Sequence, residues 1–359
     1  MKVMCMYLPQ YHTFPENDAW WGKGYTEWTS VKAAKPLMKE HHQPKVPLGQ
    51  RYYDLVKEGV KTWAWQASMA EKYGIYGFSI YQYWFCGKQL MEKPMEILLE
   101  HKEIPLRYQI CWANETWTRT WYGLENEVLM KQEYGEQKEW EAHFSYLLPF
   151  FRDERYIKIE GKPVFQIYRT TDIKDLKEMK KYFEKRAREE GFPGIYFVGG
   201  KTAGEQETRT NLLDGYYTFE PGYTLKHGLS AMQQKKYECS VLVKSIMNRF
   251  CKRKRLERMI PIKWIYQSIE KREYAPHEYP GLIAEWDNTP RRSYKGLLYT
   301  GASPERFQKT LAVLKYKLKN RIDDYVYINA WNEWGEGAVL EPEEKSGYAY
   351  LEAVRKVQE

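Results

Sequence analysis

The sequence predicts an α/β chain folded as a (β/α)8 TIM barrel with long loop insertions after strands 1 and 6. Three observations predict it. Eight short runs rich in β-branched and aromatic residues recur at 3–8, 77–83, 106–112, 163–168, 195–198, 215–219, 281–286 and 325–331, and each reads as a strand. Segments with apolar residues at helical spacing lie between most of them. Neither a GxGxxG turn nor a P-loop follows the first run, which weakens the competing doubly wound nucleotide-binding sheet.

The elements follow in order. The first strand runs into a long loop, 9–53, that carries Trp20, Trp21, Tyr25 and Trp28. A helix over 56–73 stops before Gly74, and helices over 92–102 and 136–155 follow the second and third strands. The amphipathic stretch 172–190 ends at Gly191, the residue type favoured just past a helix end. Strands five and six come next, then a basic insertion at about 222–280 that should hold helices. Ser303 and Pro304 read as an N-cap and first helical position, opening a helix to about 320, and a last helix covers 348–357. A single barrel over 1–359, with insertions shaping the substrate side, explains this layout better than a second domain.

Composition narrows the function. At 43% hydrophobic, the 359 residues can build a sizeable core, and the 16% aromatic content clusters beside Gly, Asn and Glu as in a cleft. The net charge is +8, but residues 244–258 alone carry +6, leaving +2 for the rest of the chain. That concentration argues against a nucleic-acid binder. With Ile246, Met247, Phe250 and Leu256, the segment 244–258 is a candidate for peripheral contact with anionic membrane lipid; a solvated helix face is the ordinary reading and is favoured. The five cysteines show no metal-ligand or disulfide spacing, and His12, His41 and His42 read as solvated loop residues. No metal or other cofactor is therefore expected. Met1 leads straight into a strand and no long apolar run appears, so a cytoplasmic protein is expected, membrane-associated only if the basic segment docks.

Chemistry on such a barrel is built where strands end. The eighth strand ends in Ala330-Trp331-Asn332-Glu333-Trp334-Gly335-Glu336-Gly337. Glu333 and Glu336 are the candidate catalytic pair, because glycosidic cleavage needs one carboxyl group for the departing oxygen and another to assist at the anomeric centre. Glu-x-x-Glu alone is common, but Trp331, Asn332, Trp334 and two glycines beside it favour function over a capping pair, since indoles stack on sugar rings. The third strand contributes Trp112, Asn114, Glu115, Trp117 and Arg119 as substrate contacts, and the seventh contributes Asp287, Asn288, Arg291 and Arg292. Glu220 ends the sixth strand, Trp84 the second with Tyr81 and Tyr83, and Gln10 and His12 the first; Trp28 joins from the first loop.

Tyr7-Leu8-Pro9-Gln10-Tyr11-His12, the Trp28 loop, Cys111-Trp112-Ala113-Asn114-Glu115, Trp286-Asp287-Asn288-Thr289-Pro290-Arg291-Arg292 and the motif from Trp331 to Gly337 together resemble the WbsX-like proteins. These are relatives of glycoside hydrolase family 99, and the resemblance runs in order over nearly the whole chain. It implies a (β/α)8 barrel and a retaining, endo-acting α-glycosidase whose substrate's own 2-hydroxyl serves as nucleophile. By resemblance, Glu333 matches the base that assists that hydroxyl and Glu336 the general acid/base. The enzymes of that family typically carry His where this chain has Gly335. WbsX-like proteins are associated with O-antigen and capsule synthesis, which implies an oligosaccharide or polysaccharide substrate. The alternatives are a glycosyltransferase using a nucleotide- or lipid-linked sugar, and a non-catalytic glycan-binding module.

Overall fold

The computed structural model describes residues 1–118, 127–209, 212–252 and 254–359. Its centre is a parallel barrel. The strands are β1 (Lys2–Tyr7), β2 (Gly77–Phe85), β3 (Tyr108–Trp112), β4 (Lys162–Ile167), β5 (Tyr196–Lys201), β6 (Gly215–Thr218), β7 (Glu278–Tyr279), β8 (Gly281–Ile283) and β9 (Tyr325–Asn329). Each strand from β2 to β7 pairs in parallel with its predecessor, and β9 lies between β8 and β1. β7 and β8 are two halves of one stave, split at Pro280, which has no N–H to give the ladder. Its carbonyl still accepts from Tyr327 N at 2.9 Å. The predicted seventh strand is therefore shorter at its far end and starts earlier.

The barrel is filled, not hollow. Gln109 donates from Nε2 to Gln166 Oε1 at 2.8 Å and to Tyr327 OH at 3.1 Å, and Ser79 donates to Gln166. Outside, Phe144, Phe165, Phe183 and Phe197 bury the helix layer against the sheet. Two staves come close at Gly281, where a Cβ would stand 1.9 Å from the Thr218 carbonyl oxygen. Gly281→Ala is expected to lower stability by about 1–3 kcal/mol, the usual cost of overpacking, read as a lower urea midpoint with unchanged slope.

The helices are α1 (Pro15–Trp21), α2 (Glu27–Ala33), α3 (Gly59–Lys72), α4 (Lys93–Glu100), α5 (Gln137–Arg152), α6 (Leu176–Glu189), α7 (Ala231–Phe250), α8 (Ile262–Lys271), α9 (Thr289–Arg292), α10 (Pro304–Lys317) and α11 (Ala349–Gln358). Ser303 caps α10 as the sequence predicts, its Oγ accepting from Arg306 N. α1 and α2 belong to the first long loop. α7 and α8 belong to the second, joined by Arg258–Pro261, a short strand that pairs in parallel with Leu297–Thr300.

Candidate active site

After β9 the chain turns through a small hairpin, Asn332–Glu333 against Ala338–Val339. Its anchoring explains the composition of the motif. Asn332 imitates a strand neighbour: its Oδ1 accepts from Leu8 N at 2.8 Å and its Nδ2 donates to Leu8 O at 2.9 Å. Both indoles point down, away from the cleft. Trp331 and Trp334 donate from Nε1 to the two oxygens of Glu341, at 2.9 and 2.8 Å. Gln66 and Tyr53 donate to the same carboxyl group. Burial pushes the Glu341 carboxyl up to about 7, opposed by these four donors. The loop is thus fixed from beneath, which leaves Glu333 and Glu336 facing up.

One guanidinium organises the carboxylates. Arg291, on α9, donates from Nη1 to Glu336 Oε1 at 2.8 Å and from Nε to Glu27 Oε1 at 2.9 Å, and its Nη2 lies 3.5 Å from Glu333 Oε2. Glu27 opens α2 and is fully buried. Burial raises the Glu333 carboxyl well above the usual range; the Glu336 charge adds to this and Arg291 opposes it. Burial also raises Glu336, with Arg291 opposing and Glu27 adding. Three carboxyl groups around Arg291 favour retention of a proton on the Glu333–Glu336 pair.

Gly335 makes this arrangement possible. A Cβ there would stand 1.6 Å from Glu27 Oε1 and 2.8 Å from Arg291 Nε. The space that a side chain at 335 would take is filled by the Glu27–Arg291 pair.

The cleft above is a cavity of about 340 Å³ at the C-terminal ends of the staves. Tyr81, Tyr83, Trp117, Tyr168, Trp286 and Tyr299 give it aromatic walls. Of the residues selected from sequence, Gln10, Glu115, Trp117, Asn288, Arg291, Arg292, Glu333 and Glu336 line it. Glu115 pairs with Arg169 at 3.0 Å, and Asn288 Oδ1 also accepts from Leu297 N at 2.6 Å.

The other selected residues face elsewhere. Trp84 stacks on His143 with centroids 4.6 Å apart. Successive strand residues alternate sides, so Tyr81 and Tyr83 meet the cleft while Trp84 meets the helices. Trp112 also lies on the helix side, donating to Trp84 O at 3.0 Å. Asn114 staples the chain at Arg169, accepting from its N and donating to its O, both at 2.8 Å. Glu220 accepts from Thr224 and Arg272. Asp287 accepts from Gln43 and contacts His41 Nε2 at 2.8 Å. Trp28 packs on Tyr11 and Trp334 and donates to Tyr53 O. With Trp331, Asn332 and Trp334, these are supports of the cleft rather than its lining. Arg119 lies outside the described residues. His12 and His41 are buried rather than solvated: burial lowers His12, and His41 is held by Asp287. Sequence reasoning misses Glu27, whose partner Arg291 is distant in the chain and leaves no local pattern, and Glu341, although it follows the motif whose two indoles it accepts from.

Comparison with known proteins gives a family and a fold. The family model described as Glycosyltransferase WbsX matches residues 3–354. Two proteins named WxcX, each described as uncharacterized and from two strains of Xanthomonas campestris pv. campestris, are 33% identical over 358 residues, covering 99% of this chain and 49% of their own length. The chain therefore spans about half the length of these curated relatives. Among solved structures, a GH99 endo-alpha-mannosidase from Bacteroides thetaiotaomicron aligns with a TM-score of 0.57 and 14% identity, covering 99% of this chain and 96% of that one. A glycoside hydrolase-like protein aligns with the same TM-score at 11% identity, covering 99% and 93%. Both likenesses support the barrel fold.

Proposed function

We propose a function from one premise: the chain belongs to the Glycosyltransferase WbsX family. It is a carbohydrate-active enzyme of bacterial surface-polysaccharide metabolism that cleaves or transfers an α-linked glycan with retention. The observation that carries this reading is the buried Glu333–Glu336 pair, with raised carboxyls, at the floor of an aromatic cleft. Aromatic walls suit sugar rings, and a carboxyl kept protonated suits the departure of a glycosidic oxygen.

In the proposed first step, Glu333 takes the proton of the sugar 2-hydroxyl while that oxygen bonds to the anomeric carbon. The glycosidic bond breaks and Glu336 gives its proton to the leaving oxygen. In the second step water, or an acceptor hydroxyl, bonds to the anomeric carbon and returns a proton to Glu336. The bond to the 2-oxygen breaks and Glu333 gives its proton back. Burial raises both carboxyl groups, and the roles need the shared proton on Glu336. A 2-hydroxyl donating to Glu333 favours its carboxylate and moves the proton toward Glu336.

A bell-shaped pH profile of kcat/KM is expected, because only the singly protonated pair works. Rate is lost on the alkaline side when the last proton leaves, and both raised carboxyls place that limb above the ordinary carboxylate range. An alkaline limb at an ordinary carboxylate value would count against the pair.

The direct test is incubation of the protein with a panel of α-linked bacterial polysaccharides, followed by mass spectrometry. Oligosaccharide products establish hydrolysis or transglycosylation. The second reading, a glycosyltransferase with a nucleotide- or lipid-linked donor, draws on Arg292. It lines the cleft, where burial, Arg258 and Arg291 lower its pKa and Glu336 opposes them, and a guanidinium suits an anionic donor group. Calorimetry with nucleotide sugars tests the nucleotide-linked version. A non-catalytic module would bind glycan equally well after loss of either carboxyl group.

A further inference from the structure

Helix α7 turns its apolar face to solvent. Of the eleven large hydrophobic side chains exposed among the described residues, five lie on this helix: Met232, Leu242, Val243, Ile246 and Phe250. At 3.6 residues per turn they share a sector of roughly 100°, Met232 near the start of the helix and the other four within its last ~12 Å. The opposite side holds the helix to the protein. Asn248, the one buried residue of α7, donates to Arg255 O at 2.8 Å, and Tyr237 OH accepts from Arg258 Nε at 3.0 Å. A surface helix ordinarily shows the reverse polarity.

Charge says what fits the stripe. Lys236 and Arg249 flank it, Lys235 sits within it between Met232 and Leu242, and Lys252 follows it, all exposed. Glu238 is the one acidic residue of the helix. We propose that α7 docks on the surface of a bilayer containing anionic lipid, its apolar stripe at the acyl boundary and its lysines and arginine among the headgroups. A second copy of the chain is a poor occupant, because a two-fold contact sets each basic rim near its own copy. No helix among the described residues is long and apolar enough to cross a membrane, so the contact is a docking one. The same insertion reaches the cleft: Arg258–Pro261 pairs with Leu297–Thr300, and Leu297 and Tyr299 line the cavity. Docking would hold the cleft beside the lipid surface. The inference stands independently of the glycan chemistry.

The test is co-sedimentation of the whole chain with vesicles of phosphatidylglycerol and phosphatidylethanolamine, against vesicles of phosphatidylcholine alone. Binding to the anionic vesicles, weakened by salt, is expected. Val243→Glu/Ile246→Glu/Phe250→Glu should weaken it by at least about tenfold, with thermal midpoint and elution volume unchanged because all three sites are exposed. Lys235→Glu/Lys236→Glu/Arg249→Glu should do the same through charge. Absence of binding to anionic vesicles, equal binding to neutral ones, or unchanged binding by both variants overturns the proposal. So does a wild-type dimer that the first variant turns into monomers, which would assign the face to a second copy.

Discussion

Glu336→Gln lowers turnover of a susceptible glycan by about 10²–10⁴-fold, the usual worth of a general acid/base, and leaves glycan binding largely intact. The amide keeps the shape of the side chain but has no proton to give at ordinary pH. Glu333→Gln is comparably damaging, because the two carboxyl groups act in one step and their effects do not add. Stability moves the other way. Each substitution removes one of three carboxyl groups crowded around Arg291. A carboxyl whose folded pKa is raised favours the fold while protonated and loses that contribution as pH rises through the folded value. At neutral pH and above, Glu333→Gln should therefore raise the thermal midpoint while it abolishes activity. Turnover by both variants at the wild-type rate would sink the assignment. A lower midpoint in Glu333→Gln would show that the carboxylate is a structural ion-pair member instead.

The sequence carries the barrel and the position of the floor more clearly than the walls. The apolar run before Trp331 and the carboxylates after it locate the strand end and the site together, since both follow from local composition. Parity is harder to read. Tyr83 and Trp84 are equally suited to stacking, and only the register of β2 sends one into the cleft and the other onto His143. Polar residues at strand ends mislead for another reason. Asn114, Asp287 and Asn332 look like hydroxyl ligands, yet irregular chain leaves buried backbone and side-chain groups that need partners, and these residues serve them. Glu27 meets Arg291 across 264 positions, a pairing that only the fold creates.

That pairing makes the second large prediction. Gly335→Ala should cost about 3–5 kcal/mol, the usual penalty for breaking a buried ion pair, although it adds a single methyl group. The new Cβ would fall 1.6 Å from Glu27 Oε1, and the fully buried Glu27 has no solvent to retreat to. Displacing Glu27 also frees Arg291 to lean further toward Glu336, so the shared proton leaves more readily and the alkaline limb of the rate profile moves down. Shortening Glu27 should undo the clash. Glu27→Ala/Gly335→Ala is expected to be no less stable than Glu27→Ala alone, a strong departure from additivity that chemical denaturation can measure. If the two substitutions add, Glu27 does not occupy the space beside Gly335 in solution, and the clamp on Arg291 is wrong. If they compensate, Glu27 fills the space beside Gly335, and its carboxylate helps to set the charge beside the Glu333–Glu336 pair.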